Sequence, residues 1–157
     1  MKATGIVRRV DELGRLVIPK EIRRTMRLAE GTPLEIFTDR EGQIILKKYS
    51  PMMELGSFAK QYAESVAQTM NQKVAVSDRD QIIAVAGGGK RELLGKTISR
   101  QLEEMIINRE NSIQAGLDKK TIPLISGDED SYSAQAIYPI CCEGDCIGAV
   151  ILYSREN

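Results

Sequence analysis

Five arginines stand close together near the start of the sequence. Arg8 and Arg9 lie within GIVRRVDELGR, Arg15 closes that stretch, and Arg23 and Arg24 follow in VIPKEIRRTMR. A guanidinium stays charged throughout the physiological pH range. It presents a planar fork of N–H donors that matches phosphate oxygens and the O6/N7 edge of guanine. Here the forks alternate with Ile6, Val7, Val10, Leu16, Val17, Ile18 and Ile22, residues suited to a core. Arginine is rarely buried without a partner, so these side chains either coat a solvated surface or face an anion. From the residues alone both readings stand.

Two other stretches invite chemistry. AVAGGGKREL has glycines whose backbone N–H groups could cradle a phosphate, with Lys90 adding charge. The P-loop spacing, however, asks for a glycine at residue 84 and Ser or Thr after the lysine, where this sequence has Ala84 and Arg91. A plain strand-to-helix connection serves equally well. Cys141, Cys142 and Cys146 form the second stretch. Their odd number and adjacency argue against a disulfide framework and point to packed thiols in or beside a strand. The chain contains no histidine, which removes the usual base of serine and cysteine nucleophiles and a common zinc ligand. No enzyme, cofactor or metal is expected.

The elements that must position the arginines are short. Residues 4–10 and 15–18 read as strands separated by DELG, whose Gly14 suits a turn. Pro19 keeps Ile18 extended and starts a helix over residues 20–28. At 3.6 residues per turn Ile22, Met26 and Ala29 share one face, and Lys20, Arg23, Arg24 and Arg27 the other. Residues 34–38 and 43–48 then form a hairpin around a turn at 39–42. About fifty residues of this kind, without disulfide or metal, bury too little apolar surface to stand alone. A second copy of the chain is the expected remedy.

Charge divides the sequence in the same way. Residues 1–50 carry 11 Lys and Arg against 7 Asp and Glu, and residues 51–157 carry 11 against 15, within a chain whose formal net charge is +0. Such asymmetry suggests a polyanion-binding module beside an acidic partner domain. Residues 52–70 read as a helix with Leu55, Ala59, Tyr62, Val66 and Met70 on one stripe. Strands are expected at 73–77, 81–86, 121–125, 133–140 and 146–154, with a helix carrying Ile98, Leu102, Met105 and Ile106 between them, an α+β pattern. The charged N-terminus lacks an apolar signal core, and no run approaches a membrane span, so a cytoplasmic protein with no membrane partner is expected.

The stretch KATGIVRRVDELGRLVIPKEIRRTMRLAEGTPLEIFTDREGQIILKKYSP closely resembles the AbrB-type swapped-hairpin DNA-binding domain. The remainder, with SDRDQIIAVAGGGK, YPI and IGAVILYS, resembles a GAF-like domain, and the pairing resembles regulators of forespore and sporulation transcription. The resemblance implies a β-rich swapped-hairpin barrel formed by a dimer over residues 1–51. A GAF-like α+β domain for regulation or oligomerisation would cover 52–157. It implies double-stranded DNA as partner, with Arg8, Arg15, Arg23 and Arg24 in contact and Arg9 at an adjacent basic position. It further implies a homodimer through the first domain, a homotetramer through the second, and an unidentified small-molecule effector. Relatives of this type carry one more helix after the last strand; this sequence ends at Asn157. An antitoxin-like interaction protein sharing the N-terminal fold is the alternative, although antitoxins follow that fold with a disordered tail.

Overall fold

The computed structural model describes residues 2–128 and 132–155. The chain divides into two compact units, Met1–Tyr49 and Ser50–Asn157.

In the first unit a turn at Asp11–Gly14 is closed by two backbone bonds of 3.0 Å, from Asp11 N–H to the Arg15 carbonyl and from Gly14 N–H to the Asp11 carbonyl. Pro19, with φ −58° and ψ 150°, leads into helix α1 (Lys20–Thr25). The helix is shorter than residues 20–28 because the chain turns left-handed at Arg27, φ 56°. Leu28 N–H then reaches the Arg23 carbonyl at 2.7 Å and Arg27 N–H the Arg24 carbonyl at 3.3 Å, the paired closure typical of such an end. Strands β1 (Leu34–Thr38) and β2 (Ile44–Lys48) pair antiparallel from Leu34 opposite Lys48 to Thr38 opposite Ile44. Their turn is held by the Asp39 carboxylate, which accepts from Glu41 and Gln43 N–H at 2.9 Å.

This corrects the expected swapped-hairpin barrel. The sheet of this unit has two strands, and no sheet closes into a barrel among the described residues. Residues 2–18 contain no strand. Positive φ at Gly5 and Gly14 interrupts them, and the adjacent Arg8 and Arg9 break the alternation that would give one buried face. Pro19 is the sole buried residue among the described residues of the unit.

The second unit contains helices α2 (Pro51–Glu54) and α3 (Gly56–Met70), strands β3 (Lys73–Ser77) and β4 (Ile82–Ala86), and helices α4 (Lys90–Leu93) and α5 (Arg100–Ile107). Strands β5 (Ser112–Ala115), β6 (Tyr132–Cys142) and β7 (Asp145–Arg155) follow. The sheet is antiparallel in the order β4-β3-β7-β6-β5. One face packs Val74, Val76, Ala84 and Ala86 against Ala59, Ala63 and Ala67 of α3. The other packs Ala75, Ile137, Ile151 and Tyr153 against Leu93, Ile98, Leu102 and Ile106. Helix α5 starts at Ser99, whose hydroxyl accepts from Leu102 N–H at 3.1 Å.

Three expectations shift. The buried stripe of α3 is its alanines, while Leu55, Tyr62 and Met70 lie exposed; small side chains let the helix settle closely on the sheet. Residues 121–125 form no strand beyond a single bridge from Ile125 to Ile98, and β5 takes the sheet edge instead. Cys141 and Cys146 are joined by a disulfide, leaving Cys142 exposed as a free thiol. The two-residue turn at Glu143 and Gly144, both at positive φ, sets Cys141 directly opposite Cys146. That juxtaposition is a matter of strand register. Among the described residues no helix is long and apolar enough to cross a membrane.

Candidate nucleic-acid interface

Each of the five arginines is exposed, so none is spent inside a core. Arg23 and Arg24 sit in the last turn of α1. Arg8 precedes the Asp11–Gly14 turn and lines an apolar hollow of about 280 Å³ with Pro19 and Ile22, and with Leu46 and Lys48 of β2. The hollow brings the N-terminal segment, the helix and the hairpin together; Arg9, Arg15, Arg23 and Arg24 are not part of its lining.

The arginines differ in how they are held. Arg15 Nε donates to Asp11 Oδ2 at 2.7 Å. The same carboxylate accepts backbone N–H bonds from Leu13 at 2.9 Å and Arg15 at 2.8 Å. Those bonds, the backbone one from Arg15 first and its guanidinium next, hold the Asp11 carboxyl below the usual carboxylate range. Arg23 Nε donates to the Ile18 carbonyl at 3.0 Å, and Arg8 Nη1 to the carbonyl of its neighbour Val7 at 3.0 Å. No side-chain hydrogen bond or ion pair to protein holds Arg9 or Arg24 among the described residues. Asp11 escaped the sequence reading as a site residue. Its signal lay in DELG, an aspartate three residues before a glycine, the pattern of a side chain that caps its own turn.

The glycine run is explained by close packing. Gly87, Gly88 and Gly89 all have positive φ. A Cβ on Gly87 would lie 2.5 Å from the Gln72 carbonyl oxygen, and one on Gly89 2.7 Å from Tyr153 Oη. The helix that follows has four residues and no side-chain cap.

A family model described as "Stage V sporulation protein T C-terminal, transcription factor" matches residues 54–157, and one described as "Antidote-toxin recognition MazE, bacterial antitoxin" matches residues 7–53. Stage V sporulation protein T of Bacillus subtilis (strain 168) is 49% identical over 157 residues, covering 100% of this chain and 87% of that protein. The transition state regulatory protein AbrB of the same organism is 66% identical over 53 residues, which is 34% of this chain and 54% of AbrB. The solution structure of the N-terminal DNA recognition domain of B. subtilis AbrB shares 67% identity. It covers 32% of this chain and 94% of that one, with a TM-score of 0.27.

An arginine-bearing basic unit followed by a separately cored α+β unit, in a chain with these relatives, defines a DNA-binding regulator of transcription and not an enzyme. The chain belongs to the AbrB/SpoVT family, with an AbrB/MazE-like N-terminal region and a SpoVT-type C-terminal domain. DNA binding comes with that membership.

Proposed function

We propose that Arg8, Arg9, Arg15, Arg23 and Arg24 form the surface that contacts double-stranded DNA, in a cytoplasmic regulator of sporulation genes. The observation that carries this is the exposure of all five in a unit whose lysines and arginines outnumber its carboxylates. Residues 1–51 are the DNA-binding domain, in which two copies come together. Residues 52–157 are the regulatory and assembly domain, GAF-like in character, pairing dimers into tetramers and taking a small-molecule effector. The packed core of this second part distinguishes the reading from an antitoxin with a disordered tail.

Salt titration of DNA affinity tests the assignment. Four arginines per chain acting twice give about eight contacts, so log K falls against log salt with a slope near −7 if all eight are to phosphate, and less steeply for each that reads a base instead. Arg23→Ala removes two of them and reduces the slope by roughly 2 if they are phosphate contacts. Lys119→Ala, in the acidic part, leaves the slope alone. Unchanged affinity on replacing Arg8, Arg15, Arg23 and Arg24 in a folded protein would overturn the assignment.

A further inference from the structure

The arginines fall into two groups by the nitrogen that anchors them. Arg15 and Arg23 are both tied down through Nε, one to the Asp11 carboxylate at 2.7 Å and the other to the Ile18 carbonyl at 3.0 Å. An Nε tether fixes the plane of the guanidinium and leaves both terminal amino groups pointing away from it. Those are the donors that pair side by side with the O6 and N7 of a guanine. Arg9 and Arg24 have no such tether among the described residues, and Arg8 spends a terminal nitrogen on Val7. An untethered guanidinium can follow a phosphate wherever it lies, since attraction to the backbone demands charge rather than a fixed plane.

Asp11 also presents a sign problem. Its side chain is partly exposed beside Arg15, which is 71% exposed, so an anion sits on a surface meant for a polyanion. An exposed ion pair contributes little to stability, and Asp11 weakens attraction to any DNA. The carboxylate makes three bonds, two to turn N–H groups and one to Nε, and this last is the one that a turn cap does not require. Orientation of Arg15 is the gain that offsets the repulsion.

We infer that Asp11 is a positioning residue that presents Arg15 to a base edge, and that Arg15 and Arg23 discriminate between sequences while Arg9 and Arg24 supply attraction common to all DNA. The inference rests on the arginine surface proposed above. It divides that surface into a reading part and a holding part.

Asp11→Asn tests it in the full-length protein. Asparagine keeps a carbonyl oxygen to accept from the Leu13 and Arg15 N–H groups, so the turn is retained. Its amide nitrogen faces Arg15 Nε donor to donor, and the tether is lost. A duplex selected from a random pool and an unrelated duplex serve as probes at one fixed salt concentration. The expected result is a fall of about tenfold in the ratio of the two affinities, the lower end of what one bidentate base contact supplies. Binding to the unrelated duplex stays level or rises, because an anion has gone. Arg15→Lys, which keeps the charge and loses the fork, reduces the ratio similarly, whereas Arg24→Lys leaves it unchanged. Slowed exchange of the Arg15 Nε proton, present in the parent and absent in Asp11→Asn, reports the tether directly. An unchanged ratio in Asp11→Asn overturns the inference, as does an equal loss of affinity for both duplexes. Were the parent itself to bind both duplexes without salt dependence, the arginine surface would fail instead, a result distinct from either.

Discussion

In Ser50–Asn157 a core of large apolar side chains is sunk between sheet and helices, with Leu102, Ile137 and Ile151 at 1% exposure or less, although Phe58 and Ile113 on the outside stay exposed. In Met1–Tyr49 residues of the same kind face outward, Val7 at 82% and Ile44 at 72%. The compositions of the two parts do not predict this contrast, since both alternate apolar residues with charge. What differs is where the covering surface comes from. The second unit supplies its own, an alanine stripe on one face of the sheet and α5 with its flanking loops on the other. The first holds two strands and a six-residue helix, and its apolar residues exceed what these can cover. A short chain that must keep five arginines exposed has little left with which to enclose a core, so its cover has to come from another molecule.

The largest effect that tests this contrast lies in the second unit. Leu102→Ala empties a fully buried site between α5 and the sheet and should cost about 2–5 kcal/mol, read by denaturant unfolding of the full chain. A cost below about 1 kcal/mol would mean that this core is not closed. The loss should appear at amides of β3 and β7 in hydrogen exchange.

The next effect lies in the first unit and depends on concentration rather than on any one residue. If a second copy covers Val7, Leu13, Val17, Ile36 and Ile44, folding there is coupled to association. Each tenfold rise in protein concentration then adds about 1.4 kcal/mol. Hydrogen exchange of the β1 and β2 amides should slow accordingly, and by more than that of Ala75 and Ile151 in the second unit, which has a core of its own. Exchange at β1 and β2 that ignores concentration would show that the first unit is stable uncovered.

The same contrast explains how far the sequence could be read. Pro19 marked the start of α1, and the turn residues around Gly42 marked the β1–β2 hairpin, because both signals are local and steric. Helix α5 was legible from the spacing of Leu102 and Ile106, both buried, whereas Ile98, expected on the same helix, lies before its Ser99 cap and bridges to Ile125. The expected barrel was not legible in this sense. It came from resemblance, and residues 2–18 form no ladder within the chain. The Cys141–Cys146 bond was missed because it depends on register across a turn, which spacing along the chain does not state. Arg8, Arg9, Arg15, Arg23 and Arg24 could be picked out by type alone. The tether from Asp11 could not, since an acidic residue in a basic stretch reads as neutralising charge until its hydrogen bonds are seen.

The smallest effect is invisible at neutral pH and belongs to the self-covered unit. Tyr153 is 2% exposed and its hydroxyl has no hydrogen-bond partner among the described residues. Burial pushes its phenol up to about 12, partly countered by the Arg155 guanidinium over its ring and reinforced by Glu92. Tyr132 is raised too, first by burial and then by the bond its hydroxyl donates to Asp128. In the unfolded chain a tyrosine ionises near pH 10. Below that pH both states hold the proton, and the stability tied to the raised pKa is fully present. Between about 10 and about 12 the unfolded state releases protons that the folded state keeps, so stability falls with pH until the folded pKa is passed. The second unit should therefore unfold in alkali with late, cooperative appearance of phenolate absorbance. Tyr153→Phe keeps the ring against Tyr132 and removes an unpartnered hydroxyl, so at pH 7 it should be neutral or slightly stabilising. Above pH 10 it should unfold less steeply with pH than the parent. Identical alkaline profiles for the two proteins would show that the phenol reaches water in the folded state, and the closure of this core around Tyr153 would have to be abandoned.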